Sequence, residues 1–284
     1  MAIADTALWI IERNSSRDLS LNAIAAACNV SRSHLANAFG TASGWPVMAY
    51  VRARRLSEAA KRLAAGAPDI LAVALDHGYG SHEAFTRAFR DQFGTTPEEV
   101  RNGGGTDGLQ LVAPLRLRDG PARAVAPDLR TLGRMHLVGL SAPCSFASTI
   151  AIPAQWQTFM SEHYADIPNK TRGMPIGLCR AADDEGGFEY MCAARVGAAA
   201  SPNRPLCHVQ IAAGRYAVFE HRDHVSTIFD TYTAIWNVAL PAASLTAGNG
   251  PALEFHHDDF DPATGLGGLT LWIPLAEGSG GTET

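Results

Sequence analysis

The 284-residue chain is poor in the features that would place a protein in a membrane, in an oxidising compartment or on bulk polyanion. No apolar run approaches the roughly 18 residues of a membrane span, and the N-terminus has neither a basic flank nor an apolar signal core. A cytoplasmic protein with no membrane partner is the expectation. Cysteine is scarce and odd in number: Cys28, Cys144, Cys179, Cys192 and Cys207 never form a C-x-x-C pair. That reads as buried thiols and excludes a disulfide scaffold or a cysteine-rich zinc site. Basic charge is also short, with 23 Lys and Arg against 28 Asp and Glu, so the chain does not coat nucleic acid indiscriminately. Catalytic signatures are missing too. Ser145 and Ser148 lack a G-x-S-x-G elbow, and the run at Gly103–Gly105 lacks the strand and Lys-Ser/Thr of a phosphate loop. His256-His257-Asp258-Asp259 puts adjacent histidines on opposite faces of a strand, which suits a solvated hairpin loop better than a metal centre. No metal and no cofactor are expected.

What is present is 46% hydrophobic residues in a chain long enough for two domains. Residues 102–108, Asn-Gly-Gly-Gly-Thr-Asp-Gly, break the text. Before them the pattern is helical, with 11 Lys and Arg against 10 Asp and Glu; after them short apolar runs and turns dominate, and residues 102–284 hold 12 against 18. This predicts an all-α domain over 1–101, a linker over 102–114, an α+β domain over 115–276 and a disordered tail over 277–284. Arg52, Arg54, Arg55, Lys61, Arg62, Arg87 and Arg90 are candidates for a basic face on the first domain.

That domain contains a repeat. Ile24-Ala25, Asn29, Ser31, Leu35, Ala38 and Phe39 recur as Val73-Ala74, Gly78, Ser81, Phe85, Ala88 and Phe89. Each unit reads as a helix, a tight turn and a second helix. Asn29 and Gly78 tolerate the positive φ that the turn requires, and Ser31 and Ser81 are natural N-caps. The second turn is one residue longer. Two such units joined by a stiff helix can enter successive major-groove segments of one duplex.

These residues resemble the AraC/XylS family DNA-binding domain. The likeness runs through Leu21-x-x-Ile24-Ala25, Ser31-x-x-His34-Leu35-x-x-x-Phe39, Tyr50-x-Arg52-x-Arg54-Arg55-Leu56, Gly78-Tyr79 and Phe85-x-Arg87-x-Phe89-Arg90. It closes on Phe93-Gly94-x-Thr96-Pro97-x-x-x-Arg101. The resemblance implies contact with double-stranded promoter DNA through Ser31, Arg32, Ser33, His34, Ala36 and Asn37. The second helix would contribute Ser81, His82, Glu83, Thr86, Arg87 and Arg90. RNA polymerase is an implied partner. Ser33, Ala36 and Asn37 are too short to read guanine as a bidentate arginine does, so the preferred sequence should be distinctive.

The second domain is also duplicated: a strand over 130–140, a helix over 150–163 and a hairpin over 175–196 are echoed at 214–221, 225–240 and 251–274. Strand-helix-strand-strand twice predicts one sheet with helices on one face and a concave second face for a ligand. Ala213-Gly214-x-Tyr216-Ala217-x-Phe219-x-His221, Pro251-x-Leu253-Glu254-Phe255 and Leu271-Trp272-Ile273-Pro274 resemble the GyrI-like small-molecule-binding domain. Many members carry an acid four residues before the last proline; Thr270 stands there, which predicts neutral aromatic or apolar effectors over lipophilic cations. Trp156, Glu189, Tyr190, Phe219, Tyr232, Trp236, Glu254, Phe255, Thr270 and Trp272 are the candidate ligand contacts.

The reading that follows is a non-enzymatic transcription activator, monomeric or weakly self-associating, modulated by a small molecule. The competing reading is a GyrI-like hydrolase or a sequestering protein fused to a DNA reader, with Glu254 or Glu189 as the base.

Overall fold

The computed structural model describes residues 2–14, 19–117, 126–146, 151–180, 187–199 and 201–277. Ser148 and all of the expected tail except Glu277 lie outside them. The fold class is the expected one, a helical N-terminal part followed by an α+β part.

The repeat sets the helices. α1 (Ile3–Arg13) precedes the first pair, α2 (Leu21–Ala27) and α3 (Arg32–Ser43). The connector α4 (Val47–Ala64) leads to the second pair, α5 (Ile70–Asp76) and α6 (His82–Phe93), and to α7 (Pro97–Gly103). Asn29 and Gly78 take φ of 55° and 80° in the two turns. Ser31 Oγ accepts the His34 N–H at 3.2 Å and Ser81 Oγ accepts the Ala84 N–H at 3.1 Å, each satisfying a donor the helix leaves orphaned. Phe85 and Phe89 fill a small core of the second unit, whereas Leu35 and Phe39 join a larger core that continues into the second domain.

Two expectations change here. The glycine run does not halt α7 at its first residue, because the helix reaches Gly103 before Gly104 closes it. Nor do all the arginines of α4 face solvent. Arg52 does, but Arg54 is 4% and Arg55 8% exposed. The Arg54 guanidinium grips Glu12 of α1 at 2.9–3.2 Å, Glu58 at 3.1 Å and the Val112 carbonyl at 2.7 Å. Tyr50 donates to Glu12 at 2.6 Å and accepts the Leu115 N–H at 3.0 Å, while Ser57 Oγ accepts the Val112 N–H. The segment 112–115 is thereby strapped along α4.

The α+β part forms eight strands among the described residues, all antiparallel, in the order β1-β6-β8-β7-β3-β4-β2-β5. These are β1 (Asp128–Leu132), β2 (Met135–Ser145), β3 (Ile176–Arg180), β4 (Gly187–Val196), β5 (Cys207–Ile211), β6 (Gly214–His221), β7 (Ala252–His256) and β8 (Leu269–Pro274). The single strand expected over 130–140 is two strands, broken at Gly133-Arg134. Six strand spacings separate β1 from β2 in the order, about 29 Å in a flat sheet, yet two residues spanning about 11 Å join them. Ala212-Ala213 join β5 to β6 under the same constraint. The sheet must therefore curl until its ends approach. Its inner face closes on Leu137, Ile176, Leu178, Met191, Val218 and Leu253, so the concave face expected to hold a ligand is packed with its own side chains.

The helices lie on the outer face. α8 (Ala151–Thr158) continues as a π-helical turn, Phe159–His163. Its counterpart α9 (Ile228–Ala234) continues as a π turn, Ile235–Ala239, into α10 (Leu240–Ala242). Among the described residues no helix is long and apolar enough to cross a membrane, and no group of three metal-liking side chains gathers.

Burial alone would raise the Glu12 pKa, but hydrogen bonds from Arg54 and Tyr50 outweigh it and hold the carboxyl low. Replacing Arg54 by Met strands that carboxylate and should cost about 2–3 kcal/mol in urea unfolding, with a smaller loss when Glu12→Gln is added.

Candidate DNA-reading and effector sites

The two candidate reader helices, α3 and α6, correspond in sequence but differ in surroundings. On α6, His82, Glu83, Arg87 and Arg90 are exposed, and the Thr86 hydroxyl is turned inward with no hydrogen-bond partner among the described residues. On α3, Arg32 is exposed and Ser33 and Asn37 are half-buried, the Asn37 amide donating to the Ser33 carbonyl at 2.9 Å. His34 and Ala36, both expected at the DNA, are 3% and 8% exposed. For His34 the cause is the second domain. His34 Nε2 donates to the Trp236 carbonyl at 2.7 Å, and its ring meets the Trp236 ring edge-on at 5.2 Å. Asn237 donates to the Ala38 carbonyl at 3.0 Å and accepts the Ala4 N–H at 2.8 Å. One apolar core runs from Ile11 and Phe39 through to Trp236, Leu240 and Leu271.

Strand alternation divides the ten candidate ligand contacts. Glu254 points outward from β7, beneath the helices, where Tyr190 of β4 and Tyr232 of α9 donate to its two oxygens at 2.5 and 2.9 Å. Trp156 Nε1 of α8 donates to the Tyr190 hydroxyl at 3.0 Å, and His256 and Phe260 extend the aromatic wall. Glu254, Tyr190 and Tyr232 are 6%, 3% and 7% exposed, while Trp156, His256 and Phe260 are half-buried and reach solvent. Burial, reinforced by the neighbouring Glu254 charge, drives both tyrosine pKa values well up, so the hydroxyls remain donors.

The other candidates lie elsewhere. Phe219 and Trp236 are outer-face residues sunk in the interdomain core. Glu189, Phe255, Thr270 and Trp272 belong to the inward side of the sheet. There Thr270 Oγ1 accepts the Trp272 indole N–H at 2.9 Å, and Glu189 binds Ser141 and Arg180. A single wall of ten contacts is therefore incompatible with a period of two. Two residues that the geometry brings into these candidate sites escape sequence reasoning. His256 was masked by its neighbour His257, and Asn237 declares itself only through α1, which starts at Ile3 behind Ala2, a residue with no side chain able to cap it.

A helix-turn-helix pair joined to a duplicated, helix-backed sheet defines a two-part class of protein. Residues 126–276 match the GyrI-like small molecule binding domain, and the chain belongs to that family; residues 24–103 match a helix-turn-helix domain of AraC type. The chain is 29% identical over 271 residues to the transcriptional regulator Rob of Salmonella typhimurium, covering 93% of this chain and 92% of that protein. It is 27% identical, with the same coverage, to the right origin-binding protein of Escherichia coli strain K12. The helical part is 34% identical over 100 residues to the regulatory protein SoxS of Escherichia coli, covering 35% of this chain and 92% of that one.

Burial lowers the His34 pKa against its hydrogen bond to Trp236, and burial lowers those of His77 and His256 likewise. A depressed histidine pKa favours the fold while the ring is neutral, and that stability is lost as pH falls below the unfolded value of about 6.5. The melting midpoint should therefore drop between pH 7.5 and 5.5. His34→Gln should remove part of the drop in parallel thermal melts.

Proposed function

We propose that the chain is a transcription regulator that reads promoter DNA through its two helix-turn-helix units and responds to a small molecule bound over Glu254. The observation that carries this reading is the Glu254 carboxylate, buried between two tyrosine hydroxyls and walled by Trp156, in a small-molecule-binding domain fused to a DNA reader. Kinship over nearly the whole length with Rob, by name a transcriptional regulator, supports it. An aromatic-lined carboxylate attracts lipophilic cations, because ring faces and the negative charge favour the same ligand. The preference for neutral effectors drawn from Thr270 gives way, since that hydroxyl serves Trp272 on the inner side of the sheet.

Both Glu254 oxygens already accept from tyrosines, which suits ligand binding better than proton abstraction and favours a regulator over a hydrolase. Two readers in one chain need no partner subunit, so the working form is a monomer that contacts RNA polymerase once on the promoter.

Side-by-side titration of a cationic and a neutral dye of similar shape tests the effector site. The cation should bind more tightly. Glu254→Gln should weaken it by about tenfold or more, in line with the loss of a buried charge partner, while Thr270→Val changes neither dye. Cation binding indifferent to Glu254→Gln would move the site elsewhere.

A further inference from the structure

The repeat supplies an internal control for what the second domain does to the first. Aligning Ser31 with Ser81 sets Ser33, Ala36, Asn37 and Gly40 against Glu83, Thr86, Arg87 and Arg90, one stripe along each reader helix. On α6 three of these four positions are exposed; on α3 two are buried and the other two half-buried. His34 is buried where its counterpart Ala84 is exposed. Within the helical part each helix packs on its pair partner and on α4; beyond that, α3 also meets α1 and the second domain.

Gly40 shows what the second domain contributes. A Cβ built there would lie 2.3 Å from the Phe146 ring at the end of β2, whereas its counterpart in the second unit is the long, exposed Arg90. The effector domain can seat against α3 only because position 40 has no side chain. The π turn adds the His34–Trp236 and Ala38–Asn237 hydrogen bonds beside it. A major groove about 12 Å wide is filled by one helix of 10–12 Å diameter and has no room for a second element on the same face.

We infer that the effector domain masks α3 in this structure, leaving α6 as the only reader free to enter a groove, and that full DNA recognition requires the domains to part at the Phe146–Gly40 and Asn237–Ala38 contacts. This rests on α3 being a base-reading helix. α9 links the seal to the effector site: Tyr232 holds Glu254, and one turn later Trp236 and Asn237 hold α3. A ligand that takes the Glu254 oxygens from Tyr232 acts on the helix that carries the seal.

The test uses the full chain and a duplex enriched from a random pool by the Phe146→Ala protein. Gly40→Ala adds a methyl group against Phe146, and Phe146→Ala removes the ring, so two opposite steric changes should act alike. Both should bind the duplex about tenfold or more tightly than the unmodified chain, with footprints over two groove segments where the unmodified chain covers one. Ala in place of Gly within a helix ordinarily stabilises it, so thermal melts show that the variants are folded. Equal affinities with two-segment footprints for all three proteins would overturn the masking while leaving α3 as a reader. Failure of every form to prefer the enriched duplex over random DNA would overturn the α3 reading, and the masking with it.

Discussion

The Asn237 side chain serves both domains at once. Its carbonyl takes the Ala4 N–H at the start of α1, and its amino group donates to Ala38 in α3 and Thr233 in its own helix. A helix leaves its first N–H groups without intrahelical partners, and α1 has no capping side chain of its own. A residue more than two hundred positions downstream supplies the cap. At 6% exposure this amide is dry, so separating the domains must rehydrate three hydrogen-bonding groups together. The placement of α1, and through Glu12 and Arg54 that of the connector helix, follows from it.

The curled sheet accounts for the other half of the molecule. Because short links tie strands from opposite ends of the order, its interior is largely filled by packing, and the proposed ligand site lies on the outer face. That face carries the two central strands, β3 and β7, with α8 and α9 to either side. Glu254 lies on β7 between the helices, so the duplication sets one acid near the middle of that face. Both helices slip into π-helical turns at matching places, a deformation that often marks functional positions.

Much of this was legible in the sequence. The repeat gave both hairpins, their turn residues and serine caps, because each depends on local chemistry that a few residues determine. The four-element duplication of the second domain was equally plain. What failed to show was long-range. Nothing local to 130–140 says that Gly133-Arg134 divides two strands destined for opposite ends of a sheet. Arg54 looks the same in sequence whether it meets phosphate or Glu12. Of the candidate ligand contacts, alternation alone could have separated Thr270 and Trp272 from Glu254, had the register between β7 and β8 been known. Gly40 opposite Arg90 was a readable signal, since a repeat that loses a side chain on one reader face has something to accommodate there.

The two halves also differ in how far apart along the chain their contacts lie. The helical pairs close through neighbours a few residues away, whereas β1 waits for β6 and β3 waits for β7, far downstream. Local contacts form quickly and non-local sheets slowly, and domains fold in order of synthesis. A newly made chain therefore forms its helical pairs before its sheet, while the Asn237 cap of α1 and the shared core behind Phe39 wait for the second domain. The same asymmetry reaches chains cut short within the sheet: they would keep the helical pairs yet lose the Trp236 and Asn237 contacts to α3.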